Sequence, residues 1–147
     1  MQDDVYDKAS EEIRTANALV LDEFGRWLEE SKLSENTISN HVSNIDFYIN
    51  EFLLYEELTT PEEGMFKVGG FLGFWFIKKA MWASAASLKS CAASLKKFYT
   101  FMADKGRVDK EDLRLMKREI KADMPEWLAT LARYDDPDTD LDDVWVY

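Results

Sequence analysis

Residues 84–106 read SAASLKSCAASLKKFYTFMADKG and carry four lysines in a chain whose formal net charge is −11. Leu88, Ala92, Leu95, Tyr99 and Met102 recur at four-three-four-three spacing, which puts them on one stripe of an α-helix. On the same wheel Lys89 and Lys96 lie together about a quarter turn from that stripe, and Lys97 lies opposite it. With Thr100, and with Ser90 beside Lys97, they make a polar face whose chemistry is anion binding, phosphate above all. Lys78 and Lys79 before this helix, and Lys105 and Arg107 after it, would extend the patch. The competing reading is charge pairing with acids on neighbouring helices. Such surface pairs are worth only about 0–1 kcal/mol and need no special design.

Other reactive residue types offer less. His41 is the single histidine, on a helix beside Val42 and Ile45, and a structural or solvent-facing role rather than catalysis is expected for it. Cys91 is the single cysteine, which excludes an internal disulfide, gives no metal-ligand spacing, and reads as a small packing group. The aspartates Asp135, Asp136, Asp138, Asp140, Asp142 and Asp143 invite a calcium reading. They lack the glycine and terminal glutamate of an EF-hand loop, so a solvated tail is expected instead. No Gly-rich phosphate cradle, paired-carboxylate motif or nucleophile–base pair can be assembled. The expectation is a non-enzyme with no cofactor and no metal.

The charge is unevenly spread. Residues 1–63 carry −12, residues 64–107 carry +7 and residues 108–147 carry −6, so the lysine helix belongs to a basic island between acidic flanks. At 147 residues, 46% hydrophobic and 14% aromatic, the chain is long and apolar enough for one domain with a real core. Six glycines and three prolines favour long helices over a turn-rich β fold. The longest apolar run, VGGFLGFWFI, is about half of a membrane span, and no basic leader precedes a hydrophobic segment. A soluble, cytoplasmic protein that does not engage a membrane is the expectation.

The elements that must position the lysines read as follows. After a flexible N-terminus over residues 1–9, a first helix runs from near Ser10 to about Ser31. It turns Ile13, Ala16, Val20, Phe24, Trp27 and Leu28 inward, with Gly25 as a weak point. Ser34 caps a second helix with Ile38, Val42, Ile45, Ile49, Phe52 and Leu53 on one side. Its other side, Asn36, Ser39, Asn40, Ser43, Asn44, Asp46 and Asn50, is polar and almost uncharged. TTPEEG starts a third helix, with Thr60 as cap and Pro61 in the first turn, reaching about Met81. It buries Val68, Phe71, Leu72, Trp75 and Phe76, while Gly69, Gly70 and Gly73 would let another helix approach. Ser84 or Ser87 caps the lysine helix and Gly106 stops it. Phe101 points away from its Leu88 stripe and calls for cover from a fifth helix, which begins after Asp109 with Leu113, Met116 and Ile120. Pro125 starts a short sixth, with Trp127, Leu128 and Leu131 inward. The domain is expected over 10–134, with an acidic tail over 135–147 ending in the apolar VWVY. The fold class is all-α, about five to six helices.

Three of these segments, in order, resemble the core-binding domain of tyrosine recombinases (phage integrases). In the lysine helix Ser84, Leu88, Leu95, Lys96, Phe98, Tyr99, Phe101, Met102 and Gly106 occupy places that match that domain's last main helix. Ser34, Thr37, Ile38, His41, Ile45, Tyr48 and Phe52 are similar to its first, and TTPEEGMFKVGGFLGFW to the start of its intermediate helix. The resemblance spans roughly residues 20–107. It implies an orthogonal, SAM-like helical bundle whose first and last helices help clamp duplex DNA. It also implies non-catalytic DNA binding through Lys78, Lys79, Lys89, Lys96, Lys97, Thr100, Lys105 and Arg107. A clamp needs a second part, either a homodimer partner or a separate protein. The family's Arg…His-x-x-Arg…Tyr catalytic set has no counterpart here, the Asn-Pro that follows its last helix is missing, and residues 33–66 contain no Lys or Arg. The alternative is a helical protein–protein interaction module that kept the scaffold and lost DNA contact. A third reading, an acidic mimic of DNA, fits the net charge but not the basic island.

Overall fold

The computed structural model describes residues 2–55, 57–80 and 83–135, and all regular structure among them is helical, with no strand. Five rods form. Helix α1 spans Gln2–Glu30. Helix α2 spans Glu35–Asp46 and runs on through a π segment, Phe47–Phe52. Helix α3 is composite: Pro61–Gly64, a 3-10 turn Met65–Lys67, Val68–Gly70, a π segment Phe71–Trp75, and Phe76–Lys79. Helix α4 spans Ala85–Asp104 and α5 spans Lys110–Asp135.

The helix starts and stops follow local chemistry. Ser34 accepts from Thr37 N–H and Thr60 from Glu63 N–H, each satisfying an orphan donor of a first turn. Ser84 and Ser87 form a reciprocal capping box at the start of α4. At its end Gly106 takes φ 71°, while Arg107 N–H bonds Met102 C=O and Gly106 N–H bonds Ala103 C=O. That left-handed turn is where a residue with a Cβ would be strained. Asp109 Oδ1 accepts from Glu111 and Asp112 N–H and opens α5.

Three expectations are corrected. Helix α1 begins at Gln2 rather than near Ser10, and Tyr6 Oη donates to Leu54 C=O at 3.2 Å, tying the supposed tail to the end of α2. In its inward stripe Ala16 is exposed and Asn17 is buried. Asn17 Nδ2 reaches Ile49 C=O and Asn50 Oδ1, so a polar bond holds α1 to the π segment of α2. Pro125 does not start a sixth helix; it lies inside α5. Met116, Ile120, Trp127 and Leu131 are all buried and share one helical stripe, so the same core face continues past the proline and outweighs its lost backbone bond. Residues 136–147, which hold nearly all of the expected acidic tail, lie outside the described residues.

The core joins side chains from all five rods, and α4 contributes most, with ten buried side chains from Leu88 to Ala103. Helix α2 packs on α1 and on α4, and α5 packs on α4 and α3. Phe101 is fully buried, and Phe24 and Trp27 of α1 cover it, with ring centroids 5.6 and 5.9 Å away. Of the three α3 glycines, two serve close approach. A Cβ on Gly69 would collide with the Glu119 carboxylate and one on Gly73 with the Trp127 indole, whereas one on Gly70 meets nothing within 4 Å. Two fully buried tyrosines hold the first turn of α3: Tyr48 Oη donates to Gly64 C=O at 2.6 Å and Tyr99 Oη to Pro61 C=O at 2.8 Å.

Candidate nucleic-acid interface

The solvent face of α4 is bounded by α2 on one side and α5 on the other. Lys89, Lys96 and Lys97 share a shallow groove of about 500 Å³ with Ala92, Ala93 and Met124 of α5. Lys89 is exposed; Lys96 and Lys97 are half-buried, their aliphatic stems covering apolar surface while their heads stay wet. None of the three is within ion-pair distance of an acid among the described residues. The charge-pairing alternative therefore does not account for these three cations.

It does account for Arg107, whose guanidinium pairs with Glu62 at 2.6 Å. Lys105 lines a separate cleft with Glu23, Arg26, Trp27 and Glu30 at the end of α1. Thr100 lies one turn beyond Lys96, but its hydroxyl donates to Lys96 C=O at 2.7 Å, so its proton is not offered to a phosphate. The Lys78 ammonium stands 5.6 Å from the centre of the Phe74 ring, and neither it nor Lys79 lines the α4 groove. Of the eight expected contacts, three converge.

Two further cations join them. Lys117 and Lys121 sit seven and three residues before Met124, which places them on the same side of α5 as that groove residue. Glu119 lies on the other side of α5, against α3. The signal was present in the sequence as the stripe 117, 121, 124. Sequence reasoning missed it because it takes the groove to show which flank of α5 faces α4.

On the α2 flank the seam with α4 is polar and neutral. Asn44 Nδ2 donates to Ser90 Oγ at 3.1 Å and Ser94 Oγ at 2.9 Å, and Ser94 Oγ lies 2.7 Å from His41 Nδ1. Ser94 accepts from Asn44 and bonds His41 Nδ1, the direction of the second bond being set by the imidazole tautomer. Desolvation, and secondarily the Lys97 ammonium, hold the His41 pKa below its ordinary value, so the ring is neutral at pH 7. Outside the seam Asn36, Ser39, Asn40 and Ser43 are exposed and uncharged.

Burial pushes the Cys91 thiol up to about 11, far from a thiolate nucleophile at neutral pH. Among the described residues no group of three His, Cys, Asp or Glu stands close enough to hold a metal ion, and no helix is long and apolar enough to cross a membrane. No family model, no curated protein and no solved structure matches this chain.

Proposed function

We propose that this protein is a non-catalytic duplex-DNA-associating module that docks phosphates on the exposed face of α4. The observation that carries the reading is the convergence of Lys89, Lys96 and Lys97 in one groove with no acid in ion-pair range among the described residues. Lys117 and Lys121 widen the field across α5, and the uncharged α2 flank lets a polyanion approach from that side without meeting a carboxylate between Glu35 and Asp46. The resemblance to a tyrosine recombinase core-binding domain, with its orthogonal bundle, supports the same face, because the lysine helix is the one that resembles a DNA-clamping element. In that reading one module covers only part of a duplex, and a second copy or a separate protein completes the clamp.

The test is a titration of labelled duplex at low and moderate salt, with wild type and Lys89→Glu/Lys96→Glu/Lys97→Glu. Wild type binds weakly and loses affinity with salt; the variant loses binding, as removal of three phosphate contacts at roughly 0.9 slope unit each requires. Superimposable curves for the two proteins, or no wild-type binding at low salt, reject the proposal. The second reading, a protein–protein module, draws on a different surface, the aromatic and acidic strip along α3.

A further inference from the structure

A groove of about 470 Å³ opens between the end of α2 and the outward side of α3, with Phe52 and Tyr55 on one wall, Phe66 and Phe74 on the other, and Trp75 in its floor. Phe66 is 73% exposed and Tyr55 65%, large apolar rings that cost solvation where they stand. Gly70, between Phe66 and Phe74, has nothing within 4 Å of a Cβ built on it, so the floor is open there. Phe52 ends one π segment, Phe47–Phe52, and Phe74 and Trp75 end another, Phe71–Trp75; the Phe52 ring packs tilted on Phe71 at 4.8 Å and edge-on to Trp75 at 5.4 Å. Such segments are uncommon and gather at functional places. Trp75 Nε1 is buried and donates to no acceptor among the described residues. A buried indole N–H is normally paired, and this one lacks a partner among the described residues.

Phe66 also lines a second cleft, of about 250 Å³, with Glu62, Glu63, Asp109 and Asp112. Arg107 is there too, but it is matched by Glu62, which leaves Glu63, Asp109 and Asp112 in excess. Glu57 and Lys67 both line the aromatic groove and offset each other, so the excess of acid lies in the neighbouring cleft. Aromatic groove and acidic cleft thus form one strip hinged on Phe66. Its charge repels a nucleic acid and repels the aspartate-rich residues 136–143 of this chain. It favours a cation.

We infer that this strip docks a basic segment of a partner protein, with an aromatic or branched aliphatic side chain in the groove above Trp75. Lysines or arginines flanking that anchor enter the cleft of Glu63, Asp109 and Asp112. The pattern is an apolar anchor for affinity and a charged neighbour for orientation. The strip uses α3, the end of α2 and the start of α5, not the α4 lysine face, so this inference stands apart from the DNA proposal.

The test uses the full chain carrying ¹⁵N-tryptophan, with the Trp75 indole signal assigned by Trp75→Phe. The probe is a synthetic peptide with a tryptophan and a leucine four residues apart, followed by four lysines. Its controls replace the two anchors by serine or the lysines by glutamate. The Trp75 signal shifts saturably with the probe and with neither control, while the Trp27 signal stays in place. Salt weakens the interaction, Glu63→Lys/Asp112→Lys weakens it tenfold or more, and Phe66→Ser, an exposed change that spares the core, abolishes it. Duplex titration of Phe66→Ser matches wild type if the DNA reading holds, so either idea can fail alone. An unmoved Trp75 signal, or an equal response to the glutamate peptide, overturns the inference. So does a Trp75 signal that depends on protein concentration with dimer in sedimentation, which assigns the strip to a second copy. A signal that moves on deleting residues 136–147 assigns it to the chain's own tail and equally overturns the inference.

Discussion

His41 shows how much of this protein's behaviour sits in single side chains that composition does not reveal. Its folded-state pKa lies below the ordinary 6.5, by desolvation first and by Lys97 second. Below pH 6.5 the unfolded chain therefore binds a proton that the folded chain refuses, so stability is full above that value and falls as pH drops through it. Denaturation midpoints measured from about pH 7.5 down to about pH 5.5 will decline in wild type and lose that component in His41→Gln, since no other histidine titrates there. An equal decline in both proteins would assign the effect to carboxylates. The sequence placed His41 on the correct helix and gave it a structural or solvent-facing role. It did not show Ser94 as the partner that His41 shares with Asn44, because separations of 53 and 50 residues leave no local trace. Asn17 was invisible for the same reason: its value lies in the Ile49 carbonyl and the Asn50 side chain it reaches, and the neighbouring Ala16 fits an apolar stripe equally well.

At the scale of elements, local chemistry was legible and long-range cover was not. Ser34, Thr60, the Ser84–Ser87 pair and Gly106 all cap where their sequence neighbourhoods indicate. Pro125 was misread because a proline after an acidic, alanine-containing stretch looks like a helix start, and only the shared Met116–Leu131 stripe shows that one core face passes through it. Phe101 is covered by another helix as expected, but the part played by α1, which crosses α4 with Phe24 and Trp27, was not legible. The α3 glycines give the sharpest element-level prediction. Gly73→Ala drives a methyl into the Trp127 indole and costs roughly 1–3 kcal/mol, while Gly70→Ala meets open space and stabilises the helix by about 0.5–1 kcal/mol. Thermal or urea unfolding of the two variants will move in opposite directions; movement in the same direction would contradict the α3–α5 packing described above.

For the whole molecule the decisive quantity is where the charge lies, not its total. A chain of net charge −11 keeps three lysines of α4 out of ion-pair range of any acid among the described residues and spends Arg107 on Glu62. Neutralising Lys89, Lys96 and Lys97 to glutamine together should therefore leave stability within about 0.5 kcal/mol of wild type, because no pair is broken. Circular-dichroism melts check this, and a large loss of stability would reveal a structural duty for those ammonium groups. The resulting picture has two faces of opposite sign on one helical scaffold: cations on α4 with part of α5, and rings with carboxylates along α3. The α4 part of the first was legible because Lys89, Lys96 and Lys97 fall on one continuous helix, whereas Lys117 and Lys121 were missed. The second draws on residues 52–75 and 107–112 and emerges only when α2, α3 and the start of α5 are brought together.

The two tyrosine hydroxyls that grip Pro61 and Gly64 carry a consequence for how this chain tolerates change. They moor α3 from the body of the bundle, through α2 and α4, so the connection around Glu57 and Leu58 acts as a tether rather than a strut. Extra residues spliced in there would add only the slowly growing entropy of a longer span, about 0.6 kcal/mol for each doubling, and α3 would stay at its berth.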